Sequence, residues 1–409
     1  MKRGTVGGFR LIDCDACPLS IKRTRVVRGE GDKKAKIVFV GEAPGREEDV
    51  SGRPFVGRAG KEFDRLLDGA GIEREQVYIT NVVKCRPPGN RKPRRGEVKE
   101  CITTLKDEIS EVNPNLVVLL GSTAVEAFLK DIKVSKDHGT FVGHFFVSYH
   151  PSMTFYGKKE VMAGDFEKLA MVDRALKADR KLILLDYDGT LVPITKNPED
   201  AVLKENGKRI LGNLADEVAI VTGRSISSVR KILDIDIPLV ANHGFEFYRV
   251  EQPEKLERFE KYKGSAEKIY EHFRSMKTKG SVVENKTFGV ALHYRNADEG
   301  EFFEEFEELL KSTELDNMRI EYGKKVVEFR PDEDWDKGRV VQYLMEHLGG
   351  LPIYIGDDNS DEKAFEAIDD RGITISVGKL ETKAQYGFRD EKEVLSFLSI
   401  LGGENEDIP

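Results

Sequence analysis

Four cysteines in 409 residues are too few for a disulfide-built secreted fold. No apolar run approaches the ~18 residues that a membrane-spanning helix needs. The opening Met1-Lys2-Arg3-Gly4-Thr5 is not followed by an apolar signal segment, so export is not expected and the cytosol is the default. Internal repeats and low-complexity tracts are missing. Glutamine occurs only four times although charged residues make up 34% of the chain, a bias that resembles heat-adapted proteins.

What is present suits globular folding. The chain is 39% hydrophobic and long enough for two or three domains. Its charge is unevenly spread. Residues 1–180 carry 33 Lys/Arg and 26 Asp/Glu, a net of +7, whereas residues 181–409 carry 32 and 47, a net of −15. A polyanionic partner therefore belongs with the first half.

Apolar runs at 37–40, 76–85, 114–124 and 143–152 alternate with helical patterns in the first half. This alternation predicts an α/β fold with a mostly parallel sheet. A charged connector follows, and a new α/β pattern starts at "KLILLDYDGTLVPI" (181–194). We place a domain boundary near 178–181, giving domains at 1–178 and 181–409. In the second, an α+β insertion is expected at about 245–330 between core segments 181–244 and 331–409.

In "DYDGT" two aspartates stand two apart directly after an apolar strand. There Asp186 can attack as a nucleophile, and Asp188 can protonate a leaving oxygen and later activate water. Such close carboxylates repel, so a cation with hard oxygen ligands such as Mg²⁺ is expected. "GDDNSDE" (356–362) brings further carboxylates to another strand end, while Thr222 and Lys337 can hold phosphate oxygens.

Together with "TGRS", "NHG", "VENK…LHYR" and "VEFRP…WDKG", these motifs resemble the trehalose-6-phosphate phosphatases of the haloacid dehalogenase superfamily, over about 180–405. The resemblance implies a Rossmannoid core with an inserted cap, and an aspartyl-phosphate formed on Asp186. Mg²⁺ would be held by Asp186, the main chain of Asp188 and Asp357, with Asp358 and Asp361 in support. Arg224, Glu284, Lys286, Arg295 and Glu328 are the implied sugar or phosphate contacts. Another sugar phosphate remains an open alternative.

The first half carries a basic stretch, "KCRPPGNRKPRRGEVK" (84–99), with seven Lys/Arg against one Glu, suited to phosphate contacts. Strand ends add Glu42 in "GEAPGREED", Asn81 in "TNVVKC" and His150 in "YHPS", while Phe55 sits in "GRPFVG". A carboxylate, an amide, an imidazole and an aromatic plate suit a planar polar ring, such as a base flipped out of a nucleic acid. Cys14 and Cys17 form a C-x2-C pair whose bare pattern fits a redox couple, half a zinc site, part of an iron–sulfur cluster or two buried thiols.

GEAPGxxED, RPFVG, the stretch around Asn81 and HPS together resemble the family 4 uracil-DNA glycosylases over roughly 10–175. The resemblance implies a three-layer α/β/α fold and hydrolysis of the uracil N-glycosidic bond in DNA. Phe55 would stack on uracil, Asn81 would read its edge, His150 would donate toward O2, and Glu42 would position or polarise water or stabilise the cationic sugar. Glu48 is a second candidate carboxylate, and "PSMTFYGKK" would fill the gap left by the flipped base. Cys14, Cys17, Cys85 and Cys101 match the family spacing for a [4Fe–4S] cluster. That cluster would staple both ends of the basic loop to the N-terminal segment. Zinc in place of the cluster, or a DNA-binding iron–sulfur module without glycosylase activity, are the rival readings.

Overall fold

The computed structural model describes residues 14–195, 197–253, 259–323, 325–379 and 381–403. Parts of the two expected domains, 1–13 and 404–409, lie outside the described residues. The chain divides into two compact units, Met1–Asp179 with Lys392–Pro409, and Arg180–Glu391.

The first unit is built on strands β1 (Glu30–Gly31), β2 (Ile37–Gly41), β3 (Tyr78–Asn81), β4 (Leu116–Leu120), β5 (Thr140–Val142) and β6 (Phe145–Ser148). They form one sheet in the order β1-β3-β2-β4-β6-β5. The four inner strands are parallel, while β1 and β5 are antiparallel edges. Sequences such as IVFV and LVVLL are apolar without alternation because both faces of a parallel sheet are covered. One face packs Phe39 against Phe63 and Phe166, which come from helices Arg58–Gly69 and Lys159–Lys177. The other packs Val38, Val40, Val117 and Leu119 with Leu105 and Ile109 of helix Arg95–Val112. The three-layer α/β/α arrangement expected from the sequence is present.

The chain's last helix, Glu391–Gly402, corrects the domain limits. The sequence reading assigns it to the second domain, yet its hydrogen bonds go to the first unit. Asn115 Nδ2 donates to the Ile400 carbonyl (2.8 Å), the Gly143 amide to Ser396 Oγ (3.0 Å) and the Phe141 amide to Glu393 (3.2 Å). The Phe141 and Gly143 amides sit on and just after β5, where an edge strand leaves donors unpaired, and Asn115 precedes β4.

In the second unit, strands β7 (Lys181–Leu185), β8 (Val218–Val221), β9 (Leu239–Ala241) and β10 (Glu246–Tyr248) start the core. The chain then forms β11 (Val282–Asn285), β12 (Val290–His293), β13 (Met318–Gly323) and β14 (Val326–Pro331), and returns for β15 (Leu351–Gly356), β16 (Ile373–Val377) and β17 (Tyr386–Phe388). The core sheet runs β10-β9-β8-β7-β15-β16-β17, and the inserted antiparallel sheet runs β11-β12-β14-β13. The insertion begins later than the expected position 245, because β10 pairs with β9 in the core sheet. Among the described residues no helix is long and apolar enough to cross a membrane.

Candidate functional sites

In the first unit the parallel ladder carries Glu42, Asn81 and His150 to one sheet edge. Gly41 is in register with Asn81, and Leu120 with Ser148. Side chains following the C-terminal ends of parallel strands converge there. Glu42, Glu48, Phe55, Asn81 and His150 line a single cleft of about 1030 Å³.

Phe55 holds a left-handed backbone (φ 52°), unusual for a bulky side chain and worth roughly 1–3 kcal/mol of strain. That turn sets its ring 5.9 Å from the His150 ring and 5.1 Å from Phe63. Gly41 lies close against both Asn81 and Phe55. A Cβ there would lie 2.5 Å from both Asn81 Oδ1 and the Phe55 ring, so only glycine leaves room for both.

Glu48 does not serve as a free carboxylate. It accepts hydrogen bonds from the amides of Val56 (3.1 Å) and Gly57 (2.9 Å), clamping the turn that carries Phe55. His150 Nδ1 accepts from the Ser152 amide (3.3 Å), so in the neutral ring Nε2 carries the proton. Burial pushes the His150 pKa down to about 4, partly offset by the Glu48 charge, and the ring is neutral near pH 7. Thr123, at the start of helix Ser122–Phe128, donates to Glu42 Oε2 and fixes that carboxylate. Sequence reasoning missed Thr123, because a threonine in a helix's first turn reads as a cap.

In the second unit Asp186 and Asp188 follow β7, Thr222 and Arg224 follow β8, and Asp357, Asp358 and Asp361 follow β15. Lys337 begins helix Lys337–Leu348, and its ammonium is buried between Asp186 (2.8 Å) and Asp361 (2.7 Å). Tyr354, a fully buried hydroxyl in an otherwise apolar strand, donates to Asp361 at 2.7 Å. Burial raises the Asp186 pKa well above the usual carboxylate range, with Lys337 opposing and the neighbouring carboxylates adding to the rise. Burial also raises Asp357 to about 7, reinforced by Asp358. For Asp358 burial is outweighed by Lys337 and by bonds from Ser360, which hold it low.

Asp186, Asp357 and Asp361 place carboxylate oxygens within 4.8 Å of one another. Asp357 Oδ1 is buried without a hydrogen-bond partner, and a Cβ at Gly189 would lie 2.2 Å from its other oxygen. An orphaned anionic oxygen in a carboxylate cluster is the environment a hard cation relieves.

Arg224 grips Asp188 through two bonds, 2.5 and 2.6 Å. From the inserted sheet, Lys286 bonds Glu328 (2.5 Å) and the Gly223 carbonyl (3.0 Å), which links the insertion to the loop after β8. Glu284 instead pairs with His293 at 2.9 Å. Arg295 is exposed and bonds the Thr195 carbonyl, so it does not join the Lys286–Glu328 group. His243, the middle residue of the NHG motif, contacts Glu328 (3.3 Å), and burial pushes its pKa down to about 4.

A sequence model of the uracil DNA glycosylase superfamily matches residues 28–177, and one described as trehalose-phosphatase matches 184–394. A type-4 uracil-DNA glycosylase of Archaeoglobus fulgidus is 39% identical over 192 residues, which cover 43% of this chain and 94% of that protein. The type-4 enzyme of Thermotoga maritima is 54% identical over 126 residues, 31% of this chain and 66% of that protein, just under two thirds of its length. The probable trehalose-phosphate phosphatase I of Arabidopsis thaliana is 32% identical over 263 residues, covering 58% of this chain and 71% of that protein.

The chain belongs to two families, the type-4 uracil-DNA glycosylases and the trehalose-phosphatases.

In the glycosylase unit all four cysteines line one small cavity, with Leu19 and Val83 at its wall. Burial raises the Cys101 thiol to about 11 and raises Cys85 as well, the latter opposed by Arg23, whose guanidinium donates to Cys85 Sγ at 3.3 Å. Protonated, buried thiols of this kind are poor exchange nucleophiles. The basic stretch is less free than the sequence reading has it. Lys84 is fully buried, Arg91 pairs with Glu97 (2.6 Å) and Lys92 with Glu126 (3.2 Å). Arg94, Arg95 and Lys99 keep exposed side chains.

In the phosphatase unit, Tyr354→Phe is expected to leave KM unchanged and lower kcat roughly tenfold, since it removes one buried bond that orients Asp361 and, through Lys337, Asp186. Steady-state phosphate release checks it, and an unchanged kcat rules the role out. In the glycosylase unit, Thr123→Val should slow single-turnover excision roughly tenfold while Thr123→Ser retains the rate, because it is the hydroxyl that bonds Glu42.

Proposed function

We propose that the first unit excises uracil from DNA and that the second hydrolyses trehalose 6-phosphate through an aspartyl-phosphate. For the first, the supporting observation is the convergence of Glu42, Phe55, Asn81 and His150 on one cleft. Phe55 stacks on the extruded base. The Asn81 amide matches the O4 and N3–H edge of uracil, a pair cytosine does not present. His150, neutral with its proton on Nε2, donates toward O2 as negative charge grows on the departing base. Glu42, held by Thr123, orients the water that attacks C1′. DNA phosphates meet the exposed Arg94, Arg95 and Lys99.

The four cysteines line one small cavity and carry the family spacing of a [4Fe–4S] cluster, which favours the cluster over zinc. A bound cluster would staple the N-terminal segment to the basic loop and to helix Arg95–Val112, which carries Cys101.

For the second unit, the supporting observation is the Asp186–Lys337–Asp361 chain beside the unpartnered Asp357 oxygen. Asp186, the main-chain carbonyl of Asp188 and Asp357 would hold Mg²⁺, which when bound offsets carboxylate repulsion and polarises the phosphoryl group. Asp186 Oδ attacks phosphorus. Asp188, which must leave Arg224 and take up a proton first, gives that proton to the departing sugar oxygen and then takes one from the water that opens the acyl phosphate. Thr222 and Lys337 hold phosphoryl oxygens, and Arg224, Glu284, Lys286 and Glu328 contact the sugar. Four thiols and no disulfide among the described residues suit a reducing cytosolic setting.

The test is direct. Full-length protein with a visible absorption band near ~400 nm should convert uracil-containing DNA to abasic product, and should release phosphate from trehalose 6-phosphate with Mg²⁺. A colourless, active protein would favour zinc. DNA binding without excision would leave only a binding module, and equal turnover of many sugar phosphates would overturn the trehalose assignment.

A further inference from the structure

Lys84 is the residue after Val83 in the Asn81-to-Cys85 stretch, and its side chain is fully buried. An ammonium has three donors, and each finds an acceptor here. One goes to Thr80 Oγ1 (2.5 Å), one to the main-chain carbonyl of Asn81 (2.9 Å) and one to Glu108 of helix Arg95–Val112. Thr80 in turn donates to Glu108 at 2.7 Å. The amides that follow are already engaged, Val82 with the Gly41 carbonyl (2.9 Å) and Val83 with that of Glu42 (3.3 Å). The peptide that carries Asn81 is therefore held from both sides, by β2 on one and by Lys84 on the other.

A buried ion pair is a costly way to fill this space. Removing two charges from water costs several kcal/mol per ion, and an apolar pair of similar volume is often as stable or more so. Stability alone does not account for Lys84 and Glu108. Both bond Thr80, and Lys84 also bonds Asn81, the last two residues of the base-reading strand.

We infer that Lys84 is a positioning residue for uracil recognition: its ammonium, anchored by Glu108, fixes the Asn81 carbonyl and so the direction from which the Asn81 amide meets the base. This rests on the glycosylase reading above. A displacement of about 1 Å in such a group costs on the order of 100-fold in rate.

The experiment compares wild type, Lys84→Met, Lys84→Arg and the double variant Lys84→Met/Glu108→Leu as full chains. Excision rates are normalised to the visible absorption band, so only cluster-loaded molecules are counted. Lys84→Met strands the Glu108 carboxylate and should lower the melting temperature. The double variant should regain that stability yet still excise uracil roughly 10- to 100-fold slower, with unchanged affinity for uracil-free DNA. Lys84→Arg keeps the charge but replaces the tripod of donors with a planar fork, and should also be slow. A wild-type rate in either the double or the arginine variant overturns the inference and makes Lys84 a mere counter-charge. An inactive wild type overturns the glycosylase reading itself, and this inference with it.

Discussion

Asp186→Asn should abolish phosphate release and, in the metal-free protein, leave stability equal or higher. The activity loss is expected at roughly 10⁴-fold or more, the scale reached when a covalent nucleophile is removed. The stability claim follows from the surroundings. Burial and the neighbouring carboxylates raise the Asp186 pKa well above its ordinary value, so the ionised side chain is disfavoured in the folded state. A raised folded pKa contributes stability that is complete below the unfolded pKa and is lost as pH rises through the folded one. Asparagine keeps an acceptor for Lys337 and removes that loss, leaving Lys337 with Asp361 as a one-to-one pair. Melting temperatures of the two metal-free proteins should therefore diverge with rising pH, the variant lying higher. A variant that melts several degrees lower at pH 8 contradicts this electrostatic account, and one that retains more than about 1% of the rate contradicts the nucleophile assignment.

Both folds were legible in the sequence because parallel strands are buried on both faces and read as continuous apolar runs, as at Ile37–Gly41 and Lys181–Leu185. The strand ends were legible too, since Glu42, Asn81, Asp186 and Asp357 each interrupt such a run with a polar group. Side-chain allegiance was not. Glu48 reads as a candidate site carboxylate and Lys84 as part of a basic stretch for phosphates, yet both are buried and bonded to the chain itself. Nothing in local periodicity separates a carboxylate that clamps a turn from one that faces a ligand. The same holds for Arg295, which looked equivalent to Lys286 but bonds Thr195 instead. The sequence reading assigns the final helix to the second domain because it follows that domain's last strand in the chain, whereas it accepts its bonds from Asn115, Phe141 and Gly143 of the first unit. Thr123 and Tyr354 act through another residue, a role that has no sequence signature beyond a hydroxyl where none is needed for packing.

His150→Ala should slow single-turnover excision by roughly 100- to 1000-fold, the range for losing one preorganised donor to a developing anion. Binding to uracil-containing DNA should change little, because a donor that strengthens only as charge appears contributes mainly to the transition state. The pH dependence carries the sharper claim. Burial places the His150 pKa near 4, so the ring stays neutral across the physiological range and Nε2–H remains the donor. The wild-type rate should then show no inflection near the ordinary imidazole value of ~6.5. For stability the sign is opposite to that of Asp186. A depressed folded pKa contributes stability that is present above the unfolded value and lost as pH falls through the folded one, here about 4. His150→Ala should accordingly lose less stability between pH 6.5 and 4 than wild type does. Ser152 tests the tautomer separately. Its hydroxyl lies 2.9 Å from Nδ1, while its amide donates to the same atom. Ser152→Ala keeps the amide bond and should retain most of the rate. Ser152→Pro removes the amide donor and should lose much of it, since Nδ1 is then free to take the proton. A rate that rises as His150 becomes protonated, with a limb near ~6.5, would make the catalytic group an imidazolium and overturn the neutral-donor mechanism.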